Sequence, residues 1–140
     1  MTKFALRGFL LSLMASLGMI TVPTLAADQP VMTAEKGTVI FYRQKKAKGA
    51  ALRFNITDAA AGSVGTLSNG TVIKRDLDPG SYTFTVRSPS VDGQDMIIVN
   101  LEAGQTVYIQ GEILWGWPAG RPKFTRMSDA EAQAHVAKLK

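Results

Sequence analysis

The chain has 140 residues, no cysteine, and 16 lysines and arginines against 11 acids, for a formal charge of +5. The missing cysteine excludes disulfides, thiol nucleophiles and a lipid anchor carried on a cysteine. The mild basic excess falls short of a nucleic-acid-binding composition, and after residue 26 no stretch is long and apolar enough to span a bilayer.

In chain order, Lys3 and Arg7 precede a mostly apolar run over residues 9–22, and Pro23-Thr24-Leu25-Ala26 closes it. That order is the pattern of a secretory signal peptide over 1–26, cleaved after Ala26 or after Ala27, with a retained anchor as the alternative. The expected location is therefore the periplasm, or outside the cell if the protein is secreted. Residues 27–36 are small and polar with Pro30, and read as a flexible lead-in to a single domain over 37–140.

Residues 38–42 are apolar on both faces, which suits a central strand. Leu52, Phe54 and Ile56 alternate inward over 52–57. A small, glycine-rich stretch follows, with Val64 and Leu67 marking a short strand. Ser68-Asn69-Gly70 signals a hairpin, and 71–77 should return as the partner strand; Ile73, Arg75 and Leu77 share one face, so a bulge or an edge position is expected. Asp78-Pro79-Gly80-Ser81 suits a type II turn with Gly80 at positive φ. Tyr82, Phe84 and Val86 form the next inward set, residues 88–94 a polar loop, and Ile97, Val99 and Leu101 another strand. Ala103-Gly104 repeats the hairpin chemistry of 77–80 before Val107 and Ile109. A helix over 128–139 is capped by Ser128, with Glu131 completing a capping box and Ala132, Val136 and Leu139 on one face. The expected fold is all-β: a single small antiparallel β-sandwich of seven or eight strands with one C-terminal α-helix.

The ordered set Gly37-Thr38-Val39-Ile40-Phe41-Tyr42-Arg43, Gly49-Ala50-Ala51-Leu52-Arg53-Phe54, Leu77-Asp78-Pro79-Gly80-Ser81-Tyr82, Leu101-Glu102-Ala103-Gly104, Gly120-Arg121-Pro122-Lys123 and Ser128-Asp129-Ala130-Glu131 resembles a family of small exported bacterial proteins, often lipoproteins, catalogued as a domain of unknown function. The resemblance implies a sandwich related in outline to transthyretin-like and carbohydrate-binding-like modules, and implies no activity. The chain departs from the family in lacking the lipidated cysteine and in carrying Ala59-Ala60-Ala61-Gly62 where relatives have a polar turn.

No catalytic, cofactor or metal set is expected. The single histidine, His135, sits on the terminal helix among alanines and reads as plain surface. Asp76, Asp78, Asp92, Asp95 and Glu102 are scattered among turns without calcium-loop spacing. Two surfaces remain. Arg43, Lys45, Lys46, Lys48 and Arg53 cluster around one loop and suit an anion or an acidic partner. Trp115 and Trp117 flank Gly116, with Arg121 beyond, where a guanidinium could stack on an indole. The leading expectation is a soluble, non-enzymatic binding or interaction module. Its partner would be an envelope protein or an anionic or glycan envelope polymer, not nucleic acid. A carbohydrate- or peptidoglycan-binding module using the aromatic loop is the alternative, and a small hydrolase using carboxylates ranks third.

Overall fold

The structure is a computed structural model that describes residues 33–89, 91–115 and 120–140. The expected signal peptide, the first six residues of the lead-in and Trp117 lie outside the described residues. Among the described residues eight strands fold into two four-stranded sheets, with one helix at the C-terminus. The first sheet has β4 (Val72–Leu77), β1 (Gly37–Tyr42), β7 (Thr106–Leu114) and β8 (Arg121–Met127) in that order. The second has β3 (Gly62–Leu67), β2 (Phe54–Asp58), β5 (Gly80–Ser88) and β6 (Val91–Leu101). All neighbours are antiparallel except β1 and β7, which run parallel with Tyr42 beside Gln110. The expected sandwich of seven or eight strands is therefore the fold of the described residues.

The core follows from alternation. Inward residues of the two sheets interdigitate, as sandwich packing requires. Phe41 from the first sheet meets Phe84 from the second edge-to-face at 4.9 Å and lies 5.7 Å from Phe124. Phe54, Ile56, Val86, Val99, Val107 and Ile109 fill the space around them and are almost fully buried. β1 is central and apolar on both faces, because its outer face is also covered. Helix α1 (Asp129–Ala137) packs there, with buried Ala132 against Tyr42 and Tyr108 and with Val136 and Leu139 beside them.

Local turn chemistry misleads at several points. Residues 68–70 do not close a hairpin: β3 pairs with β2 and β4 with β1, so the turn carries the chain from one sheet to the other. Gly70 has a positive φ of 70° and Asn69 does not, so the type I′ geometry that makes Asn-Gly a hairpin turn is absent. β4 is an edge strand with unbroken register, which resolves the bulge-or-edge alternative. Its inward Arg75 donates to the Val64 carbonyl of β3, and at the opposite seam Phe124 N–H of β8 donates to Asp95 Oδ2 of β6 at 2.8 Å. Both pairs of sheet edges are thus tied by side chains, which occupies groups that edge strands otherwise leave open.

Residues 77–80 and 101–104 also pass between sheets, and they are not the same turn. Gly104 sits at φ 70°, whereas Gly80 is not at positive φ and begins β5, so a type II turn is excluded there. The polar segment 88–94 is mostly strand: β5 and β6 form a long hairpin with a register shift at Arg87/Ser88. β8 was not anticipated at all, because only Pro122 and Phe124 of its residues point into the sandwich. The helix ends at Ala137, two residues early, with Lys138 as C-cap. Ser128 does not cap a backbone N–H; its hydroxyl donates to Glu131 Oε2 at 2.7 Å.

The two glycines separate the two turns experimentally. Gly80→Ala meets nothing closer than a Tyr82 ring carbon at 3.9 Å, and should be neutral or stabilising by about 0.4–1 kcal/mol through the unfolded state. Gly104→Ala, at positive φ and 3.0 Å from Glu35 Oε1, should cost about 1–2 kcal/mol. Urea unfolding of both variants checks this; equal losses would restore the repeated-turn reading.

Candidate functional site

β1 ends at Tyr42, and the next residue, Arg43, turns inward rather than into solvent. Only 4% of it is exposed. Its guanidinium lies 4.5 Å from the centroid of the Phe54 ring and donates to the Leu52 carbonyl and, at 2.6 Å, to the Gly49 carbonyl. Burial lowers the pKa of this group from its usual value, yet a guanidinium stays charged at neutral pH. Arg43 is therefore a clamp that folds the 44–52 loop back over the end of β7, and not a free surface cation as its neighbours suggested. The other loop cations, Lys45, Lys46 and Lys48, are exposed. Arg53 is exposed too, one residue before β2 in the second sheet, and does not line the groove described next.

The fold-back brings the two sequence-derived surfaces together. Lys48 Nζ sits 4.3 Å from the centroid of the Trp115 ring. The indole is half exposed, at 48%, and its benzo edge fits against two glycines. A Cβ on Gly49 would come within 3.1 Å of the ring, and one on Gly120 also within 3.1 Å. Arg121 was expected to supply the cation on a tryptophan. Its aliphatic carbons instead lie 3.6–4.0 Å from where a Cβ on Gly93 of β6 would stand, and among the described residues Lys48 holds the Trp115 face.

Between the loop and β7 lies a groove of about 220 Å³. Gln44, Gln110 and Glu112 line it from the outer face of the first sheet, Lys46, Lys48 and Trp115 from its rim, and Arg43 from its base. The parallel pairing of β1 and β7 sets Tyr42 beside Gln110, and Gln44, two residues beyond, reaches the same side chain: Gln44 Nε2 donates to Gln110 Oε1 at 3.0 Å, and Tyr42 Oη donates to the same oxygen at 3.1 Å. Glu112 Oε1 accepts from Thr125 of β8 at 3.2 Å. His135 closes the network from the helix. Its Nδ1 lies 3.1 Å from both Tyr42 Oη and Gln44 Nε2. A smaller depression beyond it, shared with Gln44, is flanked by Lys45 and Lys138.

The plain-surface reading of His135 is thus corrected: it is part of a polar cluster under the helix. The missed signal is the spacing of Tyr42, the last residue of β1, and Gln44 two residues on, which puts two polar groups on one side of the chain where an apolar run ends. Asp95, Asp76 and Asp78 each have a separate structural partner, Asp95 being the acceptor for Phe124 N–H. Asp76 accepts from Thr38 Oγ1 at 2.7 Å, which with nearby Lys74 lowers its pKa; Asp78 pairs with Lys36. Among the described residues no three histidine or acidic side chains gather to hold a metal ion, and no helix is long and apolar enough to cross a membrane. Compared with protein-family models and with curated proteins, the chain matches none.

Tyr42 provides a check on this cluster. Burial, and then the negative charges of Glu131 and Glu112, push its phenol up from 10.0 to about 12. The unfolded chain releases that proton first, so stability should be complete below pH 10 and fall as pH rises from about 10 to about 12. Tyr42→Phe should remove this part of the alkaline decline in denaturant titrations; an unchanged pH profile would place the phenol in open solvent.

Proposed function

We infer that this protein is an exported, non-enzymatic binding module and that the groove between the 44–52 loop and the end of β7 is its ligand site. The observation that carries this is the Lys48–Trp115 contact. It joins a basic loop and an aromatic strand end above paired amides. Sites of this make-up bind through an apolar wall and a few converging polar groups. The signal-peptide pattern of residues 1–26 supports a periplasmic location, with secretion as the other destination. The resemblance to the family of small exported bacterial proteins accords with the exported location and assigns no activity. An envelope protein or an anionic or glycan envelope polymer is the partner class in view.

The test uses emission from the variant Trp117→Phe, in which Trp115 is the single tryptophan. Titration with soluble envelope fractions should shift its emission, and adding Lys46→Glu and Lys48→Glu should weaken the apparent affinity by about tenfold or more, since one decade corresponds to about 1.4 kcal/mol. Emission that no envelope fraction alters would remove the groove as the ligand site.

A further inference from the structure

We propose that the groove selects an acidic saccharide unit, a sugar ring bearing a carboxylate, over its neutral counterpart; this rests on the binding-module reading above. Charge supplies the first argument. Three cations, Arg43, Lys46 and Lys48, line the groove against one carboxylate, Glu112. The ion pairs among the described residues are Lys36–Asp78 and Lys74–Asp76, and neither reaches the groove. Arg43 is the more telling cation. A buried charge is ordinarily offset by an opposite charge, but this one has two carbonyl oxygens and a ring face. Its positive potential at the base of the groove is left for an anion to neutralise.

The sugar follows from shape and polarity. A volume of about 220 Å³ is below the roughly 300–1,000 Å³ of pockets for drug-sized ligands, so the groove takes one ring-sized unit of a longer chain. The half-exposed indole offers an apolar face to the C–H side of such a ring. Gln44 and Gln110 each keep hydrogen-bonding capacity beyond their mutual bond, which suits hydroxyl groups. An acidic peptide such as polyglutamate satisfies the lysines and can hydrogen-bond the amides, but its side chains bring no flat C–H face to the indole.

Lys48 supplies the selection. Its ammonium already lies on the Trp115 ring, so a sugar stacking on that face must displace it. A neutral sugar forfeits the cation–π contact. A carboxylate on the same ring receives the displaced ammonium as an ion pair, so the contact is exchanged and not lost.

Isothermal titration calorimetry on the mature protein tests this with four probes: oligogalacturonate, the neutral galactose oligomer of equal length, polyglutamate and inorganic phosphate. The expected result is that oligogalacturonate binds at least about tenfold more tightly than each other probe, and that Lys46→Gln with Lys48→Gln, both exposed changes, abolishes that margin. Equal binding of the neutral oligomer overturns the acid preference and leaves the module reading standing. Polyglutamate binding as tightly as oligogalacturonate overturns the sugar class, and phosphate doing so reduces the site to an adventitious ion only. If none of the four binds while Trp115 emission still responds to envelope fractions, the saccharide proposal alone falls; if that emission is also silent, both readings fall.

Discussion

The buried guanidinium of Arg43 is the contact on which the site depends. It sits where β1 leaves the sheet, and it holds the Gly49 and Leu52 carbonyls against the Phe54 ring. Hydrogen bonds to charged groups contribute roughly 1.5–3 kcal/mol each, which offsets part of the cost of ordering the loop. Apart from this clamp, the stretch Lys45–Lys48, with Ala47 as its apolar side chain, is tied by Lys46 N–H to Asn69 Oδ1 at 3.0 Å and by Lys48 to the Trp115 ring. With the clamp, Lys46 and Lys48 stand above the end of β7, and the loop becomes one wall of a groove.

The remaining walls come from features of the sandwich itself. The parallel β1–β7 pair places Tyr42 beside Gln110, so an amide and a phenol share one acceptor oxygen. Helix α1 covers one part of this outer face through Ala132, Val136 and Leu139 and leaves the part beyond His135 uncovered. Glycines at 49 and 120 give the Trp115 ring room that any side chain would remove. Core, clamp and groove are therefore continuous: Phe54 is at once a core residue and the platform for the cation that shapes the site.

How much of this could be read in the sequence depends on how far apart the interacting residues lie. Alternation in Phe54/Ile56, Phe84/Val86 and Val99/Leu101 revealed strands, since each has one buried side and the period of two is local. The central place of β1 was legible for a different reason, an apolar run on both faces. Strand partners were not: Asn69-Gly70 and Pro79-Gly80 carry hairpin residues, yet both serve crossings between sheets, a choice made by tertiary packing. β8 escaped notice because an edge strand of the form Arg-Pro-Lys-Phe-Thr-Arg-Met buries just Pro122 and Phe124. The two candidate surfaces were visible as compositions, but their meeting was not, because Lys48 and Trp115 are far apart along the chain. Arg43 looked like one more loop cation, and His135 like plain surface, since their partners are recognisable only once the chain has folded.

The central claim is that the Arg43 clamp builds the groove and that the groove binds. Side-chain NMR of wild type and Arg43→Met, each titrated with oligogalacturonate, addresses it most directly. The account predicts perturbation of the Trp115 indole N–H and the Gln44 and Gln110 amides in wild type. In Arg43→Met those perturbations should vanish while the core methyls of Val86 and Val99 keep their native positions. The same perturbations persisting undiminished in Arg43→Met, with the core intact, would contradict it.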